Sequence, residues 1–212
     1  VQNNKPEELK YVQPDVILYN VLLDACINWN EMEKALELLE NMNKDDSEVK
    51  PDEISYNTLI KGCARNKDLE TAFKIFNSME KSGVQPNDVT YNSLINVCVR
   101  CEKMERAWNV FSQMEESGIE SDAIIPNCKS RSYQSSVPID YNFTYSTLIK
   151  GIKYTGDRTN DLYNLDRAFK LLERIKEKRG KPDEVLYNWL IDACIRLRDT
   201  NYTSFYQDIY IN

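Results

Sequence analysis

Hydrophobic positions along this chain recur at helical intervals. Tyr56, Leu59, Ile60 and Cys63 stand at i, i+3, i+4 and i+7, which predicts an amphipathic helix from about Tyr56 to Asn66. A second stripe, Ala72, Phe73, Ile75, Phe76 and Met79, carries charges on its opposite side and predicts a helix from about Leu69 to Lys81. Gly83 follows where a helix commonly ends in a left-handed residue, and Pro86-Asn87 then breaks the chain. No long stretch alternates with period two, so strands are not expected.

This two-helix pattern repeats. The strings Tyr19-Asn20-Val21-Leu22-Leu23, Tyr56-Asn57-Thr58-Leu59-Ile60, Tyr91-Asn92-Ser93-Leu94-Ile95, Tyr145-Ser146-Thr147-Leu148-Ile149 and Tyr187-Asn188-Trp189-Leu190-Ile191 are separated by 37, 35, 54 and 42 residues. Ala35, Ala72 and Ala107 each follow their tyrosine by 16, whereas Ala168 follows Tyr145 by 23. Seven extra residues therefore lie between those marks, near Asp157 to Asn164. Met42, Met79, Met114 and Ile175 come seven after each alanine, and the units close on Pro51-Asp52, Pro86-Asn87, Ser121-Asp122 and Pro182-Asp183. Units of this kind bury their apolar faces only against neighbours, which implies an all-α solenoid of helix-turn-helix repeats.

The boundaries expected are the tail of a preceding unit over 1–15, then units over 16–52, 53–87 and 88–122. An inserted loop follows over 123–141, a fourth unit over 142–183, and a partial fifth unit or cap over 184–212. The loop holds Pro126, Pro138 and several serines, and the last stretch lacks the expected alanine. The chain begins at Val1, and Val12-Gln13-Pro14-Asp15 has the form of a unit's end, so a fragment of a longer array is expected.

Composition narrows the chemistry. The 212 residues contain no histidine, which removes imidazole-based acid–base catalysis and His-metal sites. No glycine-rich phosphate loop appears, and no catalytic residues, cofactor or metal are expected. Of six cysteines, Cys26, Cys63, Cys98 and Cys194 fall seven after their tyrosines and read as small core residues. Cys98-Val99-Arg100-Cys101 is formally a C-x-x-C, but without a second pair it reads as one core thiol and one exposed thiol at a helix end.

The Tyr-Asn-x-Leu-Ile string, the alanine, the methionine and the closing Gly-x-x-Pro-Asp/Asn resemble the pentatricopeptide repeat family, over about residues 12–122 and 142–198. The resemblance implies a right-handed superhelix that binds single-stranded RNA, one nucleotide per repeat. It also implies that the residue after each tyrosine and the residue after each closing proline choose the base. These are Asn20 with Asp52, Asn57 with Asn87, Asn92 with Asp122 and Ser146 with Asp183; Asn188 opens a fifth pair. By the family's rule the string is U-(C/U)-U-G. Ile17, Ile54, Val89, Phe143 and Val185, two before each tyrosine, would clamp the bases. An amide that both donates and accepts suits a pyrimidine edge. Capping of helix N-termini is the alternative role for these asparagines.

A formal charge of −7 opposes a generic nucleic-acid binder, so its distribution matters. Five and nine residues after each tyrosine, on the face of the base-reading side chain, stand Lys61, Arg65, Arg100, Lys150 and Arg196 against Asp24 and Asp192. The five cations are the expected phosphate contacts, in a basic lane on an acidic body. The whole reading is an RNA-binding module without catalysis, acting in RNA processing, stability or translation in a mitochondrion or plastid, with other RNA-processing proteins as candidate partners and with no membrane partner. The alternatives are a protein-binding scaffold, or the targeting arm of an RNA-processing enzyme whose catalytic domain lies elsewhere.

Overall fold

The computed structural model describes residues 14–118, 143–153, 155–179 and 184–197. Within them every regular element is a helix: α1 (Val16–Asn28), α2 (Met32–Asn43), α3 (Glu53–Asn66), α4 (Leu69–Lys81), α5 (Asp88–Arg100), α6 (Met104–Glu116), α7 (Phe143–Gly151), α8 (Arg158–Arg179) and α9 (Glu184–Leu197). The odd-numbered helices stack in one continuous row, α1 on α3, α3 on α5, α5 on α7 and α7 on α9, and the even-numbered ones pack beside them. The architecture is an all-α helical-repeat solenoid.

The recurrent sequence marks are its core. Tyr56, Leu59, Ile60 and Cys63 are wholly buried, as are Ala72 and Met79, while Phe73 is only half-buried. Tyr56 keeps its hydroxyl satisfied by Asn43 Oδ1 at 3.1 Å and Ser82 Oγ at 2.9 Å, which lets a phenol sit in the core without a desolvation penalty. Its counterparts meet the preceding second helix edge-on: Phe76 and Tyr91 ring centroids lie 5.8 Å apart, Phe111 and Tyr145 6.1 Å apart. The same joint on either side of residues 119–142 means that α7 continues the stack on α5 without a break in register.

First helices begin earlier than hydrophobic spacing alone predicts. α3 starts at Glu53, three residues before its tyrosine, because Asp52 caps it: the carboxylate accepts from the Ser55 amide at 2.9 Å, and the Ser55 hydroxyl returns to the Asp52 amide. Asn87 with Thr90 forms the same box on α5, and Asp15 caps α1 through the Leu18 amide. A side-chain acceptor there satisfies an otherwise orphaned helix donor.

The turn within each unit is also shared. Asn30, Lys67, Glu102 and Gly156, each eleven residues after its tyrosine, adopt left-handed backbone with φ of 60°, 54°, 59° and 90°. The next amide reaches back to the cysteine carbonyl in three units (Glu31 to Cys26, Asp68 to Cys63, Lys103 to Cys98), closing each helix in the same way. Gly83 and Gly118 are left-handed too, as expected after the second helices.

The seven extra residues of the fourth unit are helical. They extend α8 at its start, so that it begins ten residues before Ala168, whereas α4 begins three before Ala72. Asp157 accepts from the Thr159 amide at 3.1 Å at this end, and buried Asp161 accepts from the Thr155 amide and hydroxyl. Asn164 Oδ1 accepts from Trp108 Nε1 at 2.9 Å, and the Arg167 guanidinium lies over the Trp108 ring. The added turns thus rest on α6.

Among the described residues the cysteines are free thiols. Burial pushes Cys63 and Cys98 up to about 12, which leaves them uncharged and unreactive. Cys101 is half-buried at the end of α5, not exposed as its position suggests, because α5 closes there against the start of α6. No group of three or more potential ligands gathers around a metal position among the described residues. No described helix is long and apolar enough to cross a membrane.

Candidate nucleic-acid interface

The residue after each tyrosine lies inside its helix, the fifth helical residue in α1 and α3 by position. It therefore does no capping, and the alternative role considered for these asparagines falls to the residue after the closing proline. That capping residue faces the preceding unit's asparagine. Asn20 Nδ2 donates to both Asp52 carboxylate oxygens, at 3.1 and 3.3 Å, and Asn57 Nδ2 donates to Asn87 Oδ1 at 3.3 Å. The side chains paired by the sequence reading thus touch across the unit boundary in the first and second units. Asp122 and Asp183 lie outside the described residues, so two pairs are seen from one side only.

Two hydroxyls, absent from the expected site, join these pairs. Ser55 Oγ donates to Asn20 Oδ1 at 2.5 Å, and Thr144 Oγ1 donates to Asn92 Oδ1. Both stand directly before a tyrosine, where Thr90 is the third hydroxyl of the series. That recurrence is readable in the sequence, but its role depends on the contact between units.

Electrostatics follow the hydrogen bonds. Partial burial pushes the Asp52 carboxyl up, but bonds from the Ser55 amide, the Asn20 amide and the Ser55 hydroxyl outweigh it and hold the group below the ordinary carboxylate range. Asp52 is thus an anion and an acceptor at neutral pH. Asn57 and Ser146 are nearly buried, and Asn57 Oδ1 and Ser146 Oγ have no partner among the described residues. Asn188 is exposed on α9.

All five clamp positions are exposed although apolar: Ile17 68%, Ile54 55%, Val89 37%, Phe143 49% and Val185 49%. In the later units the leucines five residues on, Leu59, Leu94, Leu148 and Leu190, are buried completely or nearly so, whereas α1 also exposes Leu18, Val21 and Leu22. The result is a line of apolar side chains, one per unit, each three residues before the base-reading position on the same helix face.

The lane cations fall into different situations. Lys61 and Arg100 are exposed and in no ion pair among the described residues. Arg65 donates to Asn28 Oδ1 at 2.8 Å, and Asn28 in turn donates to Asp24 at 2.8 Å. Lys150 stands 4.4 Å from the Trp189 ring centroid. Arg196 is tied to Asp192 of its own helix at 3.0 Å, an i, i+4 pair that places the two as one neutral unit. The second helices differ: Arg106 reaches Glu70 at 3.0 Å, Arg167 reaches Glu105 at 3.5 Å, and Arg174 meets Glu115. Three arginines there join neighbouring second helices, while Lys74 and Lys81 of α4, like Lys61 and Arg100 of the first helices, are exposed and in no ion pair among the described residues.

Comparison with known proteins fits this arrangement. The PPR repeat family model matches residues 14–65, 51–100 and 86–124, and the pentatricopeptide repeat domain model matches 137–196. No curated protein matches the chain. Among solved structures, the chain is similar to the pentatricopeptide repeat protein PPR10 in complex with an 18-nt psaJ RNA element, at 22% identity and TM-score 0.60, over 89% of this chain and 24% of that one. PPR10 is a maize protein, and the present chain spans about a quarter of its length. The PPR domain of Arabidopsis thaliana protein-only RNase P 1, in complex with tRNA, is similar at 20% identity and TM-score 0.61, over 91% of this chain and 89% of that one. Nuclear proteinaceous RNase P 2 from the same plant is similar at 16% identity and TM-score 0.60, over 90% and 37%. With its repeat marks in the core, its units in continuous register and family models matching most of its length, the chain belongs to the pentatricopeptide repeat family.

Proposed function

We propose that this chain is a single-stranded RNA-binding module that reads one nucleotide per repeat, with the preference U-(C/U)-U-G from the first unit to the fourth. The observation that carries the reading is the direct contact of Asn20 with Asp52 and of Asn57 with Asn87, beside a row of exposed apolar side chains. An amide held by a neighbour presents a fixed donor and acceptor to a base edge, and an exposed Ile or Val on either side gives the base an apolar face to lie against. The RNA carried by PPR10 and by the RNase P 1 domain supports the same ligand class.

The module acts as a binder, and its biological effect is on processing, stability or translation of a transcript in a mitochondrion or plastid. The likeness to the RNase P 1 domain over 89% of that domain favours one specific variant, in which the array is the targeting arm of an RNA-processing enzyme. The acidic total of −7 favours instead a scaffold for protein partners. Fluorescence anisotropy at low salt, with an oligonucleotide containing UCUG against oligo-A, separates these. Tighter binding of the UCUG strand is expected; equal and negligible binding of both overturns the RNA reading. Asn57→Ser with Asn87 retained is expected to move the second base toward adenine.

A further inference from the structure

The hydroxyl that precedes three of the five repeat tyrosines, at Ser55, Thr90 and Thr144, has a second use besides helix capping. We infer that Ser55 and Thr144 are positioning residues for base choice, fixing which end of the preceding unit's asparagine amide points toward the ligand. The inference rests on the RNA-reading role proposed above.

An amide has two nearly isosteric orientations, with donor and acceptor exchanged. In the first unit both ends of Asn20 are determined. Asp52 is an anion and accepts only, so the NH2 group must face it, at 3.1 and 3.3 Å. The oxygen then lies toward Ser55, whose hydroxyl stands 2.5 Å from it and 2.9 Å from Asp52 Oδ1. Turning the amide over would set NH2 against the hydroxyl and bring its oxygen against a carboxylate. What remains for a ligand is one N–H and one lone pair in a single order.

The second unit is built differently. Asn87 Oδ1 is already the acceptor of the Thr90 amide and hydroxyl, both at 3.0 Å. It receives Asn57 Nδ2 at 3.3 Å, but no hydroxyl reaches Asn57 Oδ1, which is buried and has no partner among the described residues. Thr90 is turned to its own cap. In the third unit Thr144 Oγ1 donates to Asn92 Oδ1, as Ser55 does to Asn20. In the fourth unit the matching position is Leu186, which has no hydroxyl to offer Ser146. Hydroxyl assistance therefore varies across the first three units while the asparagine stays constant, and base selectivity follows it: strict at units one and three, tolerant at unit two.

The test uses the whole chain and four oligonucleotides differing only at the base opposite the first unit. Ser55→Ala is expected to reduce the preference for U over C there by about five-fold, the worth of one hydrogen bond, with preferences opposite units two and three unchanged. Ser55→Thr, which places at this position the residue found at 90 and 144, is expected to restore it. Thr144→Val, an isosteric loss of the hydroxyl, is expected to act in the same way opposite unit three only. Asn20→Ala separates the two ideas. If it flattens the preference while Ser55→Ala and Thr144→Val do not, the positioning role is wrong and base reading stands. If neither wild type nor Asn20→Ala discriminates, both fall. A readout without RNA is the NMR order parameter of the Asn20 side-chain amide, expected to drop in Ser55→Ala; an unchanged value overturns the inference.

Discussion

At the scale of single residues, neighbours on one helix differ sharply in burial. Ile54 is 55% exposed while Leu59 five residues on is fully buried. Replacing Ile54 by Ala should leave thermal stability nearly unchanged. It should weaken RNA binding by about 1 kcal/mol, the burial of roughly half an aliphatic side chain, so anisotropy titrations should show roughly five-fold weaker affinity. Asp52 adds a pH signature. Its folded carboxyl is depressed, so its stabilisation is present above the unfolded value near 4 and is lost as pH falls through the folded value. Asp68, lowered by bonds from the Thr71 side chain and amide, acts in the same direction. Thermal melts should be flat in this respect from pH 7 to about 5 and fall below about 4, and Asp52→Asn should reduce the acid-side slope.

At the scale of elements, the left-handed turns give a sharp contrast. Glu102 holds φ 59° where the fourth unit has Gly156 at φ 90°. A left-handed non-glycine residue costs about 1–2 kcal/mol, offset in part by glycine's extra chain entropy. Glu102→Gly should therefore stabilise by about 0.5–1 kcal/mol, a rise of roughly 1–4 °C in melting temperature, less what its exposed pair with Lys153 contributes. Gly151 is the opposite case. A Cβ there would stand 2.6 Å from Met104 Sδ and 2.9 Å from Val99, so Gly151→Ala should destabilise by about 1–3 kcal/mol through overpacking.

These elements also show what a linear reading can reach. The limits of α4, the buried stripe and Gly83 were legible because each depends on residues within a few positions. The start of α3 at Glu53 was displaced because capping chemistry at Asp52 overrides the first apolar residue as a boundary. The Asn20–Asp52 pair was legible only by family resemblance, since 32 residues separate partners that meet through packing. The Ser55 bridge was missed for the same reason. The Arg196–Asp192 pair was readable from its i, i+4 spacing, and it removes one of the five cations expected on the lane.

For the whole molecule the question is how an array of charge −7 would attract the polyanion proposed as its ligand. With Arg196 paired to Asp192, a small number of phosphate contacts on the first helices should result. With Lys61, Arg65, Arg100 and Lys150 available, log affinity should fall with log salt at a slope of about −2 to −3, near −0.7 per contact. Lys61→Ala with Arg100→Ala should reduce that slope by about 1.4. A steep slope, or one indifferent to these changes, would move the contact elsewhere. Low charge cost also shifts discrimination toward the base-facing residues, since little of the affinity is then independent of sequence.

The seven residues added to α8 set a rule for how such arrays can lengthen. At about 100° per residue, seven turn the helix through nearly two revolutions and return its face to within about 20° of where it began. Ala168, Leu171, Leu172 and Ile175 accordingly remain on the buried side. An insertion of five would rotate the stripe by about 140° and expose it. Growth of the second helix is thus quantised: whole pairs of turns add length, and with Trp108, Asn164 and Arg167 a new lateral contact, while the row of first helices stays in step. The second helices can vary in length without altering the spacing of the first helices.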